Sequence, residues 1–140
     1  MNLFNIFIIS LFHIIFINPL EKLLVQKYYK TINRPYIKNK DEKFESLGMP
    51  SGHAESTTVF MILLYLNNYI NLNVAIFMIF FISSQRFLSF MHSFNQVFIG
   101  FLSGLIMTFI YYKLHSFSSI LIFLIIYVIF LIILLLMKIK

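Results

Sequence analysis

Between residues 120 and 137 the chain runs without a charge and with Tyr127 as its single polar side chain. Such a run has to be hidden from water, and it approaches the roughly 20 residues a helix needs to cross a bilayer core. Four further apolar segments precede it, at residues 3–20, 54–66, 70–83 and 96–112, and the last one begins at residue 117. In hydrocarbon every backbone polar group must be satisfied within the segment, so these runs form helices. The second and third are short. They reach the interface through uncharged Asn67 and Asn68 in one case and toward Arg86, whose long side chain can snorkel, in the other. The chain as a whole is 60% hydrophobic and 11% charged, with a mean hydropathy of +0.88, which excludes a water-soluble globular domain. These features predict an all-α, multi-pass transmembrane helix bundle of about five spans. Residues 1–140 form one domain, integral to the membrane. The first segment lacks a basic leader and a small-residue cleavage site and is expected to be a retained span.

One polar segment, residues 21–52, interrupts the pattern; it holds seven of the eleven basic residues and four of the five acidic ones. A loop of that length in a compact protein is usually functional or disordered. Five spans put this loop, the turn from Arg86 to His92 and the final Lys138-Ile139-Lys140 on one side of the membrane. That side carries ten basic residues against one, a bias that points to the cytoplasm. With no cysteine, disulfides and thiolate metal sites are excluded.

Three fragments on that side carry chemistry. In Pro50-Ser51-Gly52-His53 a helix begins near Ser51. Its first N–H groups lack intrahelical acceptors, and the macrodipole adds partial positive charge, so the turn suits an anion. Gly52 lets an oxygen approach the backbone. Ser51 can cap the helix or donate to that oxygen, and His53 can exchange a proton near neutral pH. Upstream, Lys27 and Arg34-Pro35 offer a point charge and a planar fork, the two complementary ways of holding phosphate oxygens. Downstream, Arg86 and His92 lie six apart. They would not share a face of one helix, so a turn between them is expected. His92 and Gln96 are four apart and stack on one side of the next helix, where a side-chain oxygen can hold the imidazole. Lys22, Lys30, Lys38, Lys40 and Lys43 suit anionic headgroups, and His13 and His115, without such partners at motif spacing, are expected to be structural. Glu55, the one carboxylate near the site within an apolar segment, is read first as favourable to the helix dipole and second as functional. A zinc site from His53, Glu55 and His92 lacks a metal-binding helix pattern. Gly100 and Gly104 form a small-xxx-small pair expected to permit close packing within the chain, with a homodimer as the second use. Residues 120–137 are expected to face lipid.

In order, Lys-x6-Arg-Pro, Pro-Ser-Gly-His and Arg-x5-His resemble the motifs of the type 2 phosphatidic acid phosphatase superfamily, over Lys27 to about Gly104. The resemblance implies that His92 attacks phosphorus to form a phosphohistidine. It implies that His53 protonates the leaving oxygen and then activates water. Lys27, Arg34, Ser51, Gly52 and Arg86 would hold the phosphoryl oxygens, with Gln96 orienting His92. No metal or other cofactor is implied. The partners are a lipid phosphate or diphosphate and the bilayer, with no nucleic acid. Gln85 stands where the family usually has serine, and Gln96 where it usually has aspartate. The run His92-Ser93-Phe94-Asn95-Gln96 looks more like the dolichyl or polyprenyl diphosphatase branch, with glucose-6-phosphatase a weaker match. The alternative is a non-catalytic membrane protein that binds anionic headgroups through the same basic pocket.

Overall fold

The computed structural model describes residues 1–28, 48–114 and 116–137, and the described residues are helical with short connections. Helix 1 is continuous in three parts: α1 (Leu3–Phe12), a π turn (His13–Ile17) and α2 (Asn18–Tyr28). It is followed by α3 (Gly52–Leu66), α4 (Leu72–Leu88), α5 (Phe94–Lys113) and α6 (Phe117–Leu136). The five apolar segments are thus five helices. Their starts are written in the sequence. Asn2 accepts from the N–H of Asn5, Asn71 from Val74 and Ser116 from Ser119, and Ser93 and Gln96 form a reciprocal capping box at the start of α5.

The π turn sits just before Pro19. Proline lacks an N–H and crowds the carbonyl four residues back, and the wider turn, closed by Asn18 N–H on the His13 carbonyl, absorbs that break. Helix 1 then continues eight residues past the end expected at Leu20, so the polar segment is shorter than its charges suggest. Two of the charged residues that ended the apolar run are hydrogen-bonded within the bundle. The Tyr127 hydroxyl donates to Glu21 at 3.0 Å, and the Lys27 ammonium donates to the carbonyls of Leu134 and Leu135, each at 2.8 Å, and to that of Met137.

α3 is the central helix, packed against α5, α4 and helix 1. The small-residue pair makes the α3–α5 approach possible. A Cβ on Gly100 would lie 2.6 Å from the Ser51 carbonyl oxygen, and one on Gly104 2.6 Å from that of Glu55. The packing within the chain expected of these glycines is the one seen, and both are buried under α3. The N-terminal amine bonds Asn67 at 2.6 Å, which places the start of helix 1 beside the end of α3. The end of helix 1 and the starts of α3 and α5 therefore share the opposite end of the bundle with the last turn of α4.

Among the described residues, three helical stretches are long and apolar enough to cross a membrane: Leu3–Val25, Phe94–Lys113 and Phe117–Leu136. α4 is apolar but shorter, at 17 residues. α3, at 15 residues, is about 22 Å long and lies inside the others. The outer faces are oily. Phe77, Phe80 and Phe81 on α4 and Ile125, Ile126 and Ile129 on α6 are exposed, an apolar surface far larger than a protein in water tolerates. As expected of a lipid-facing helix, most of α6 is uncovered.

Candidate active site

The turn at the start of α3 and the turn before α5 are tied through the backbone, the Ser51 N–H donating to the Gln96 carbonyl at 3.0 Å. The connection between α4 and α5 folds back sharply. Phe90 adopts a left-handed conformation with φ 55°, and the His92 N–H returns to the Arg86 carbonyl at 3.2 Å. The turn expected between Arg86 and His92 is present, and it sets the two residues side by side. Across the cleft the Arg86 guanidinium donates to Nε2 of His53. Since guanidinium stays protonated, that imidazole nitrogen holds a lone pair in this arrangement.

His92 is buried, and its Nδ1 lies 2.9 Å from the Gly48 carbonyl and 3.3 Å from Oε1 of Gln96. Both are acceptors, so Nδ1 carries the proton, and in the neutral imidazole Nε2 holds the lone pair. The amide of Gln96 is oriented by the backbone: the Ser93 N–H, always a donor, faces its Oε1 at 3.0 Å. Gln96 thus presents oxygen to the imidazole, as its spacing suggested, while Gly48 supplies a closer acceptor that the spacing did not reveal.

Ser51 differs from the other helix-start residues. Asn2, Asn71, Ser93 and Ser116 all cap their helices, whereas the Ser51 hydroxyl, fully buried, makes no cap and has no hydrogen-bond partner among the described residues. Nε of Arg86 is likewise buried and unpartnered. Unsatisfied buried donors are costly, about 1–3 kcal/mol each, and native structures keep few of them. Two such donors lie beside the uncapped start of a helix and two histidines, an arrangement that can receive an anion.

The structure therefore brings together Ser51, Gly52, His53, Arg86, His92 and Gln96. It places the Lys27 ammonium on the C-terminal carbonyls of α6. Arg34 and His115 lie outside the described residues. Glu55 does not turn toward His92; its carboxylate accepts from His13, Asn18 and Ser103. That set of partners was missed from sequence, because His13 and Ser103 stand 42 and 48 residues away from Glu55 along the chain. The signal was there in another form: two ionisable residues of opposite type inside apolar segments.

Comparison with known proteins agrees with the site. No curated protein and no solved structure gives a significant match, but the family model described as PAP2 superfamily matches residues 6–120. That match covers every residue of the cleft and all but the last helix, and PAP2 proteins are phosphatases, whose activity on phosphate substrates suits paired histidines and unsatisfied donors at a helix N-terminus. With a helical membrane fold and a family model over most of its length, the chain belongs to the PAP2 superfamily.

Proposed function

We propose that the protein hydrolyses a lipid-borne phosphate or diphosphate, of the polyprenyl diphosphate or phosphatidate type, through a phosphohistidine intermediate. Nε2 of His92, with its partner nitrogen protonated and held, attacks phosphorus as the bond to the leaving oxygen breaks. His53 in its protonated form gives that oxygen its proton. It then takes a proton from water as the water attacks phosphorus, the P–N bond breaks, and phosphate leaves. Arg86, the Ser51 hydroxyl and the Gly52 N–H hold the phosphoryl oxygens, and Arg34 of the same motif adds a second fork. An entering phosphate draws Arg86 away from His53, and its negative charge favours the imidazolium that the first step needs. Preorganised donors of this kind supply most of the stabilisation in phosphoryl transfer.

The observation that carries the lipid assignment is a cavity of about 530 Å³ that runs from Gly52 and His53 between helix 1, α3 and α4. Lys22 and Asn18 stand near the polar end, and Phe7, Leu11, Met78 and Ile82 line its apolar depth. A substrate with a phosphate head and an apolar tail matches both. A second, almost wholly apolar cleft of about 740 Å³ separates α4 from α5, but His53 and Gly52 line only the first of these two. The His-x3-Gln pattern favours a diphosphate of the dolichyl or polyprenyl type. In a five-span arrangement, with α3 enclosed by the other helices, the site lies at one membrane face.

Phosphate release by purified protein is the test, with polyprenyl diphosphate, phosphatidate and glucose 6-phosphate as substrates. The lipid substrates are expected to be hydrolysed in preference to the sugar phosphate, and His92→Ala is expected to lose at least about 10³-fold in rate. Equal release from both proteins would sink the phosphohistidine route. No release from either would leave headgroup binding as the function.

A further inference from the structure

Positions two apart on a helix point about 200° away from each other. His53 is exposed toward the cleft, and Glu55 is fully buried on the other side of the same turn. Its carboxylate is held from two other helices. Oε1 accepts from Nε2 of His13 at 3.0 Å and from the Ser103 hydroxyl at 2.8 Å, and Oε2 accepts from the side-chain amide of Asn18. His13 is in turn fixed by Tyr111, whose hydroxyl lies 2.9 Å from Nδ1. The Glu21 carboxylate adjoins that of Glu55 and is bonded by Tyr127.

The π turn makes this cluster possible. His13 and Asn18 are five apart and would diverge on a regular helix, but a turn closed by an i to i+5 bond stacks them. Asn18 then joins the cluster to the cleft. While its amide group donates to Glu55, its side-chain oxygen rests against Gly52, where a Cβ would collide with it. On the α5 side, Gly104 lets that helix close on the Glu55 carbonyl, one turn along from Gly100 against Ser51. Every restraint on Glu55 is thus a restraint on the first turn of α3. A buried carboxylate is tolerated only while its donors stay in place, so the turn has one favourable position.

We infer that Glu55 is a positioning residue for the phosphatase centre: locked by His13, Asn18 and Ser103, it fixes the first turn of α3 and with it His53 and the Ser51–Gly52 donors. This rests on the phosphatase reading of the cleft. Glu55 touches no reacting atom and acts through the helix.

A pairwise exchange tests it. In Glu55→Gln the new amide nitrogen faces the Asn18 amide nitrogen, two donors with no acceptor between them. Adding Asn18→Asp restores the acceptor and leaves the number of carboxylates unchanged. With a short-chain phosphatidate in detergent, Glu55→Gln is expected to lower kcat about 10- to 100-fold, the scale of a small misplacement of catalytic groups. KM should change less than about threefold. The double variant is expected to recover most of the loss in kcat; because Asn18 also lines the substrate cavity, its KM does not enter the comparison. Amide exchange over residues 51–56 should rise in the single variant, return in the double, and stay unchanged over residues 117–136. Normal kcat in Glu55→Gln, unchanged exchange at 51–56, or exchange raised throughout with no recovery in the double variant would each overturn the inference. If the unmodified protein releases no phosphate, it is the phosphatase reading that fails, and the exchange pattern alone decides whether Glu55 positions the turn.

Discussion

His92 has one Nδ1 proton and two oxygens to share it. Where the family usually supplies a carboxylate, this chain supplies the neutral Gln96 and, closer still, the Gly48 carbonyl. A neutral acceptor makes a hydrogen bond about half as strong as a carboxylate does. For the positive charge that would develop on the imidazole in the proposed phosphohistidine step, that difference is worth roughly 1–2 kcal/mol, or on the order of tenfold in rate. Because Gly48 already takes part of the proton, Gln96→Asp is expected to keep phosphate release or raise it by no more than about tenfold. The carboxylate would sit in the first turn of α5, where the helix dipole also favours it. Loss of all release by a Gln96→Asp protein that remains folded and monodisperse would remove Gln96 from the orienting role. The four-residue spacing made this contact legible. Gly48 was illegible, since a backbone carbonyl leaves no mark in the sequence.

At the scale of elements, the end of helix 1 shows how a motif residue can have a second use. Lys27 lies in the family motif, yet its ammonium is bonded to three carbonyls at the C-terminus of α6, where the unpaired oxygens of a helix end attract a cation. Lys27→Ala is therefore expected to destabilise the protein by about 1–2 kcal/mol. Its effect on KM should be smaller than that of Arg86→Ala. Thermal unfolding in detergent, together with kinetics of both variants, checks this; an equal rise in KM for the two would return Lys27 to the phosphate. The continuation of helix 1 beyond Leu20 has the same origin. Hydropathy scores Glu21 and Lys27 as solvent-seeking, whereas Tyr127 and the end of α6 satisfy them inside the bundle.

For the whole molecule, the proposed lipid substrate would set its tail in the cavity between helix 1, α3 and α4 and its head at the cleft, so that the two can be tested separately. Met78 lines it from α4, which carries Arg86 only at its far end. Met78→Trp fills apolar depth without touching the cleft. It is expected to raise KM for a long-chain lipid phosphate roughly tenfold, the scale of a steric mismatch in an apolar pocket, and to leave hydrolysis of a short-chain analogue near normal. Parallel losses on both chain lengths would place the tail elsewhere, the α4–α5 cleft being the next candidate.

The sequence by itself determined the helical membrane architecture, the number of apolar helices and the order of the three motif fragments. Those properties follow from hydropathy, local hydrogen-bonding preference and short-range spacing, which act within a few residues. Only the tertiary structure decided that Ser51 leaves its helix uncapped, that Arg86 meets His53, that Lys27 closes α6, and that Glu55 is bound by His13, Asn18 and Ser103. Each of those pairings joins groups that chain order does not relate. A buried polar group takes whichever partner the packed helices bring within 3 Å, and that choice is made by the packing.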